Sequence, residues 1–407
     1  MADSAYEELY AIPEIYVEGI PESFINQLSP LEVILGESLL TPGLQTMVRI
    51  ECLTSNYVKR NYDDLKNKQL VMKVQRKVLA KFGINDTFKL RQTIYRCADR
   101  KMTSPNTEEF VMYACDQTLL EDAKSLVSKS WKCTTPNVVV SDVLQACTGA
   151  KLMDIEDCAP ARDYVAENIH PFQVVAQQCN VALAAGDDPS FVHYMTFGAG
   201  TRGDEGKHHF RSLKQLTEQS PYNKNFYYAE VPERYPHPQN ILFHTFPCDF
   251  DLLSDLLNGV DETGKDLNSA TLYNAFKGNA SLFGNQTLGC GIGGANIRAG
   301  MTSKGSENVT EGCPDFSYLY LPKRQARMAL LEQDKIALRF TVPWNPELHA
   351  GMVVSVWFRN TTIDEREEWN YGTGEYLISA LTHKIKRGGQ AFTTMDCVST
   401  TVGRGVQ

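Results

Sequence analysis

A chain of 407 residues, 43% hydrophobic and 22% charged, has ordinary globular composition. That excludes a disordered or fibrous protein and predicts roughly two to four domains. The formal net charge of −9, with no long basic run, disfavours stable wrapping of nucleic acid on a basic face. No apolar stretch approaches the roughly 18 residues of a membrane span. The acidic start MADSAYEELYAIPEIY does not read as a signal peptide, so synthesis and folding are expected in a cytosol.

Residues 1–118 read as an antiparallel β unit behind an N-terminal arm. One extended segment is expected at 14–20. Strands follow at 45–54, 69–78, 88–95 and 109–115, rich in β-branched and aromatic residues, with turns at Asn85-Asp86 and Ser104-Pro105-Asn106. Beyond 118 the period changes. Leu119, Leu120, Ala123, Leu126 and Val127 are spaced for a helix over 118–130, with acids early and lysines late to suit its dipole. Further helices are expected at 136–147 and 170–185, then a strand at 191–197, so 119–224 reads as an α/β domain.

In 238–257 an alternating I-L-F-H-T-F precedes a short helix at 249–257. Residues 258–317 form a glycine-rich insertion too broken for regular elements. A helix with a basic face is expected at 322–332. Strands at 335–342, 352–358, 376–385 and 391–399 are joined by a turn at Pro343-Trp344-Asn345-Pro346, an acidic hairpin at 361–375 and a turn at Gly388-Gly389. Residues 225–257 and 318–402 thus make a second β unit, split by the insertion. Two β blocks around an α/β middle suggest a diverged duplication with one shared strand order.

Chemical motifs are few. The run Gly289-Cys290-Gly291-Ile292-Gly293-Gly294 fits G-x-G-x-x-G, but no βαβ unit surrounds it, so it reads as a loop rather than a dinucleotide site. His208-His209 sit in a charged stretch, read as a solvated loop, and adjacent residues of an extended chain point to opposite faces. His244 and His383 lie in alternating strands. Asp249 with Asp251, or Glu365, Glu367 and Glu368, offer the paired carboxylates a glycosidase would need, and the run 364–368 reads as a solvated hairpin tip. The eleven cysteines include no C-x-x-C and read as reduced, buried thiols rather than staples or zinc ligands. No catalytic, cofactor-binding or metal-ligating residue is assigned.

The order of features from 324 onward is more specific. A basic helix and strand lead into Asn345-Pro346-x-Leu348-x-x-Gly351-Met352, then G-E-Y-L-I-S-A-L-T-H-K-I (374–385), a Gly-Gly turn and A-F-T-T-M-D-C-V-S. This resembles the baseplate hub proteins of contractile tails: the T-even-type phage tail hub, phage late-control protein D and the N-terminal part of type VI secretion spike proteins. Element order in the middle is similar too, from Thr93–Cys97 through the helices to the strand at 191–194.

The resemblance implies an α+β, multidomain fold with two tube-like antiparallel β-barrel domains, an α/β middle and an inserted loop region. It implies a structural protein and not an enzyme: a trimeric symmetry adaptor joining a hexameric tail tube to a trimeric central spike, with a pore for DNA. Implied partners are the central spike protein, the tail tube or tube-initiator protein, neighbouring baseplate wedge proteins and the tape measure protein. No cofactor, specific nucleic-acid binding or membrane span is implied, and the location is the virion tail baseplate, assembled in the bacterial cytoplasm. The rival readings are a tail-associated cell-wall hydrolase and a carbohydrate-binding host-recognition protein, the latter using Trp344, Trp357 and Trp369.

Overall fold

The computed structural model describes residues 12–20, 28–52, 65–185, 188–198, 206–228, 237–247, 324, 328, 331, 336–358, 372–387 and 390–399. The first unit is made of β1 (Ile12–Val17), β2 (Leu28–Ser38), β3 (Gln45–Cys52), β4 (Gln69–Gln75), β5 (Thr87–Ser104) and β6 (Thr107–Cys115), with α1 (Lys77–Lys81) between β4 and β5. All pairs are antiparallel, in the order β1-β4-β5-β6-β3-β2. Alternation sends Val48, Ile50, Met72, Val74, Phe110 and Met112 into one core.

The middle begins with α2 (Gln117–Lys124), β7 (Val127–Thr134) and α3 (Pro136–Val143), which runs into a π turn at Leu144–Thr148. Next come β8 (Met153–Ile155), β9 (Arg162–Ile169), α4 (Pro171–Cys179), β10 (Phe191–Thr196), β11 (Lys207–Ser212) and α5 (Leu213–Glu218). β10, β11 and β8 form one small sheet, and β7 and β9 another. The second unit follows: β12 (Phe226–Tyr228), β13 (Phe243–Thr245), β14 (Leu338–Pro343), β15 (Val353–Phe358), β16 (Gly374–Lys386) and β17 (Ala391–Val398).

Its order is β12-β15-β16-β17-β14-β13, so strand for strand it repeats the 1-4-5-6-3-2 order of the first unit. One difference is that β12 lies parallel to β15, where β1 is antiparallel to β4. The shared order anticipated from the two β blocks is therefore present. The units are not separate sheets, however. β2 pairs with β16, which fuses both into one 12-stranded sheet.

Several expectations need correction. The segment 118–130 is not one helix. Asp116 caps α2, accepting from the Thr118 N–H at 2.9 Å, and the helix stops at Lys124. Val127 and Trp131 then belong to β7. Their spacing of four satisfies a helical stripe, yet it is also even, so it fits one face of a strand. The helix at 170–185 ends at Cys179, and Leu183 turns to exchange backbone hydrogen bonds with Ala159 at 2.8 and 2.9 Å. His208 and His209 are not in a solvated loop but are buried in β11. Cys133 is disulfide-bonded rather than reduced, a pairing its spacing in the chain does not announce.

β2, β7 and β9 were not anticipated, and β5 runs nine residues past the predicted 88–95. Within 322–332, Arg324 and Met328 are helical. The elements expected at 249–257, 258–317 and 361–371, including Gly289–Gly294, Asp249, Asp251, Glu365, Glu367 and Glu368, lie outside the described residues. Among the described residues no helix is long and apolar enough to cross a membrane.

Candidate functional site

The seam between the two β units is where the chain's own parts assemble. β2 meets β16 in antiparallel register from Ser38 opposite Ala380 to Glu32 opposite Lys386. The ladder extends at both ends, with Leu39 N–H donating to the Ser379 carbonyl at 2.9 Å and Arg387 N–H to the Leu31 carbonyl at 2.8 Å. On the covered face Val33, Leu35 and Glu37 stand opposite Ile385, His383 and Leu381, all buried. On the other face Lys384 pairs with Glu32 at 2.7 Å. Trp344 lies fully buried beneath the seam, its ring edge-on to Phe88 of the first unit and to His383 of the second.

Glu37 ties the three regions together. Its carboxylate accepts the Phe197 N–H at 2.7 Å from the end of β10, the Ala350 N–H at 2.8 Å, and His349 Nδ1 at 3.0 Å. His349 and Ala350 belong to the Asn345–Met352 turn. Asn345 shapes that turn, its Oδ1 accepting the Glu347 N–H at 3.0 Å while its own N–H reaches Thr393 Oγ1 at 3.0 Å. Gly351 sits at φ +86°, and a Cβ there would lie 3.0 Å from Tyr194 Cζ, so both backbone and space require glycine. The turn that carried the sequence resemblance is thus the piece that presents donors to Glu37.

The middle sheet holds a buried histidine cluster. His193 Nε2 lies 3.1 Å from His208 Nδ1, and His208 Nε2 lies 3.1 Å from Thr118 Oγ1. On the opposite face His209 Nε2 lies 2.9 Å from Thr196 Oγ1, and its Nδ1 3.2 Å from Asp154. Burial lowers His208 and His209 to about 4, and lowers His193 as well, its two histidine neighbours adding to the effect. These rings are therefore neutral and serve as hydrogen-bonding spacers. Among the described residues no group of three His, Cys, Asp or Glu is arranged to hold a metal.

No family model matches the chain, and no curated protein matches it. Solved structures do. The E. coli c3393 protein, described as a type VI secretion component with structural similarity to the T4 tail proteins gp27 and gp5, aligns with TM-score 0.52 and 10% identity over 97% of this chain and 79% of its own. A tail protein from Neisseria meningitidis MC58 aligns with TM-score 0.52 and 11% identity over 97% of this chain and 99% of its own.

The chain shares its fold with these tail and secretion proteins. At these identities the likeness is one of fold, and it covers almost the entire chain.

Within this fold the histidines weighed in sequence take up structural places. His208 and His209 point to opposite faces of β11, as adjacent strand residues must, and both faces are covered. His383 is buried with its Nδ1 2.9 Å from Thr393 Oγ1. His244 packs its ring against Tyr228 and Phe358. Trp344 is fully buried and offers no face to a sugar, Trp357 is half-buried, and Trp369 lies outside the described residues. The residues that sequence reading did not single out are Glu37 and β2. The signal was present in the apolar alternation Val33, Leu35 followed by an acid at the next inward position, Glu37.

Proposed function

We propose that this chain is the structural baseplate hub protein of a phage contractile tail, a homotrimer with a central pore. One observation carries the reading. A single chain supplies two β units with the same strand order, already joined edge to edge. Three copies around a threefold axis would present six like units. Such a particle meets a hexameric tube on one face and a trimeric spike on the other, because its exact symmetry is threefold while its sheets repeat six times. The likeness to tail and secretion components supports this assignment. The partners are the central spike protein, the tail tube or tube-initiator protein, the wedge proteins and the tape measure protein. The particle is assembled in the host cytoplasm and resides in the virion tail.

Its work is mechanical rather than chemical. The pore passes DNA without holding it, in keeping with a net charge of −9 per chain. Substituting His208 or His209 is expected to change stability and to abolish no chemical activity. Native mass measurement of the protein, alone and with its spike, tests the proposal. Three chains per particle is the expected result. A chain that stays single with the spike present, or a ring of six whole chains, would overturn it.

A further inference from the structure

The internal seam has a counterpart that carries no strand among the described residues. β16 meets β15 over Gly374–Val356 partners up to Leu377, and further along the same edge it meets β2 from Ala380 to Lys386. β5 is the same strand of the first unit. It meets β4 up to Thr93, but beyond Ile94 that edge has no strand partner among the described residues, although β5 continues to Ser104.

The two edges correspond residue by residue. Leu377 pairs with both Val353 and Val398, as Thr93 pairs with both Gln69 and Cys115. Each strand then makes one more pair, at Ile378 and Ile94, and skips a residue before resuming at Ala380 and Arg96. β5 adds one further residue at Asp99-Arg100, where Asp99 has φ 54°. Past it, Lys101 and Met102 face Glu109 and Glu108 as Lys384 and Ile385 face Phe392 and Ala391.

The complementary edge is β13. Thr245 opposite Arg339 and His244 opposite Phe340 take the places of Ile34 opposite Met47 and Val33 opposite Val48. β13 ends its sheet, with no strand on its outer side among the described residues.

We infer that β13 of one copy pairs antiparallel with the outer edge of β5 in the next copy, repeating between chains the seam that β2 and β16 make within one. Copying the internal register sets Thr245 opposite Lys101, His244 opposite Met102 and Phe243 opposite Thr103. This rests on the trimeric reading above and adds where the chains meet. A separate observation points to the same edges. Phe243, 71% exposed, and Met102, 65% exposed, are the most exposed large apolar side chains among the described residues, one on each edge. Open edge strands bearing apolar groups invite pairing, and this register sets Met102 at the place of Ile385 on the covered face and Phe243 at the place of Glu32 on the other. Each copy has one such edge of each kind, so the contact is head-to-tail and closes into a ring.

The test is a chain carrying Thr245→Cys and Lys101→Cys, both exposed positions, oxidised mildly while its mass is measured. The internal model pair Ile34–Lys384 is non-hydrogen-bonded, since Leu31 and Leu39 make the cross-strand bonds. Such pairs have Cα atoms about 4.5 Å apart, within reach of a disulfide. Covalent dimers and closed trimers are expected from the double variant and from neither single one. In parallel, Met102→Asp, which sets a carboxylate at the place Ile385 takes on the covered face of the internal seam, is expected to weaken chain association at least about tenfold, while Val165→Asp, at an exposed site on β9, leaves it unchanged. A three-chain particle that fails to cross-link, or equal effects of both Asp variants, overturns this seam and leaves the hub reading standing. A chain that remains single with its spike present overturns the hub reading itself.

Discussion

Replacing Glu37 by alanine should loosen the molecule at the point where its three regions meet. The carboxylate side chain has no solvent exposure and accepts from two backbone amides, Phe197 and Ala350, and from His349 Nδ1. Both amide-bearing residues are buried, at 1% and 2% exposure, so water cannot readily replace the lost acceptor. An orphaned buried donor costs about 1–3 kcal/mol, and two amides with one ring nitrogen bring the expected loss to about 3–5 kcal/mol. Glu37→Gln keeps the shape and one acceptor oxygen but turns an NH2 group toward donors, so it should lose less than alanine and more than a surface change. Urea unfolding followed by tryptophan fluorescence reads the total, because Trp344 lies beneath the same seam. Hydrogen exchange at the Phe197 and Ala350 amides reads it locally. Glu375→Gln, at an exposed site, is the control. If Glu37→Ala costs under about 1 kcal/mol and both amides stay protected, the reasoning about this clamp is wrong.

Acid should unfold the protein through the buried histidines of the middle sheet and of the seam. Burial holds His208 and His209 at about 4 and His383 at about 3, below the usual 6.5, so each takes up a proton on unfolding. Stability is then full above pH 6.5 and falls as pH drops toward 4, by about 3 kcal/mol for a shift of that size; a flat urea midpoint across that window would contradict this. Gly351→Ala should cost about 2–4 kcal/mol, from a left-handed backbone and the approach of a Cβ to Tyr194, with part recovered by adding Tyr194→Phe. Equal stability of Gly351→Ala and the parent would refute the close approach. Trp344→Ala should cost about 3–5 kcal/mol in the same unfolding assay and leave binding on a glycan array unchanged, since the ring is wholly buried; lost glycan binding without lost stability would revive the carbohydrate-binding reading.

Legibility in sequence followed whether the pattern of burial had one interpretation. Strands β14, β15 and β17, and β16 beyond Ser379, alternate between covered and open faces and are separated by Pro, Asn and Gly turns, so they are readable from residues alone. β7 was hidden because Val127 and Trp131 are four apart, a spacing shared by a helix face and a strand face. The outer half of β5 was hidden for the opposite reason. From Tyr95 to Ser104 no residue is fully buried and only Cys97 and Ala98 are half-buried, so little periodicity is imposed on it. His208 and His209 misled because their charged neighbours suggest solvent, while both faces of β11 are covered by other elements. Glu37 is an acid at an inward strand position, and its partners are 160 and more than 300 residues away, beyond the reach of any local pattern.

The central claim is that one chain provides two of six equivalent β units around a pore. Class averages of the purified particle by electron cryomicroscopy, viewed down its axis, test it most directly. Three chains should give six like densities around a central opening, with exact threefold and approximate sixfold symmetry. Six whole chains in the ring, or a three-chain particle whose β units do not surround an opening, would contradict the account.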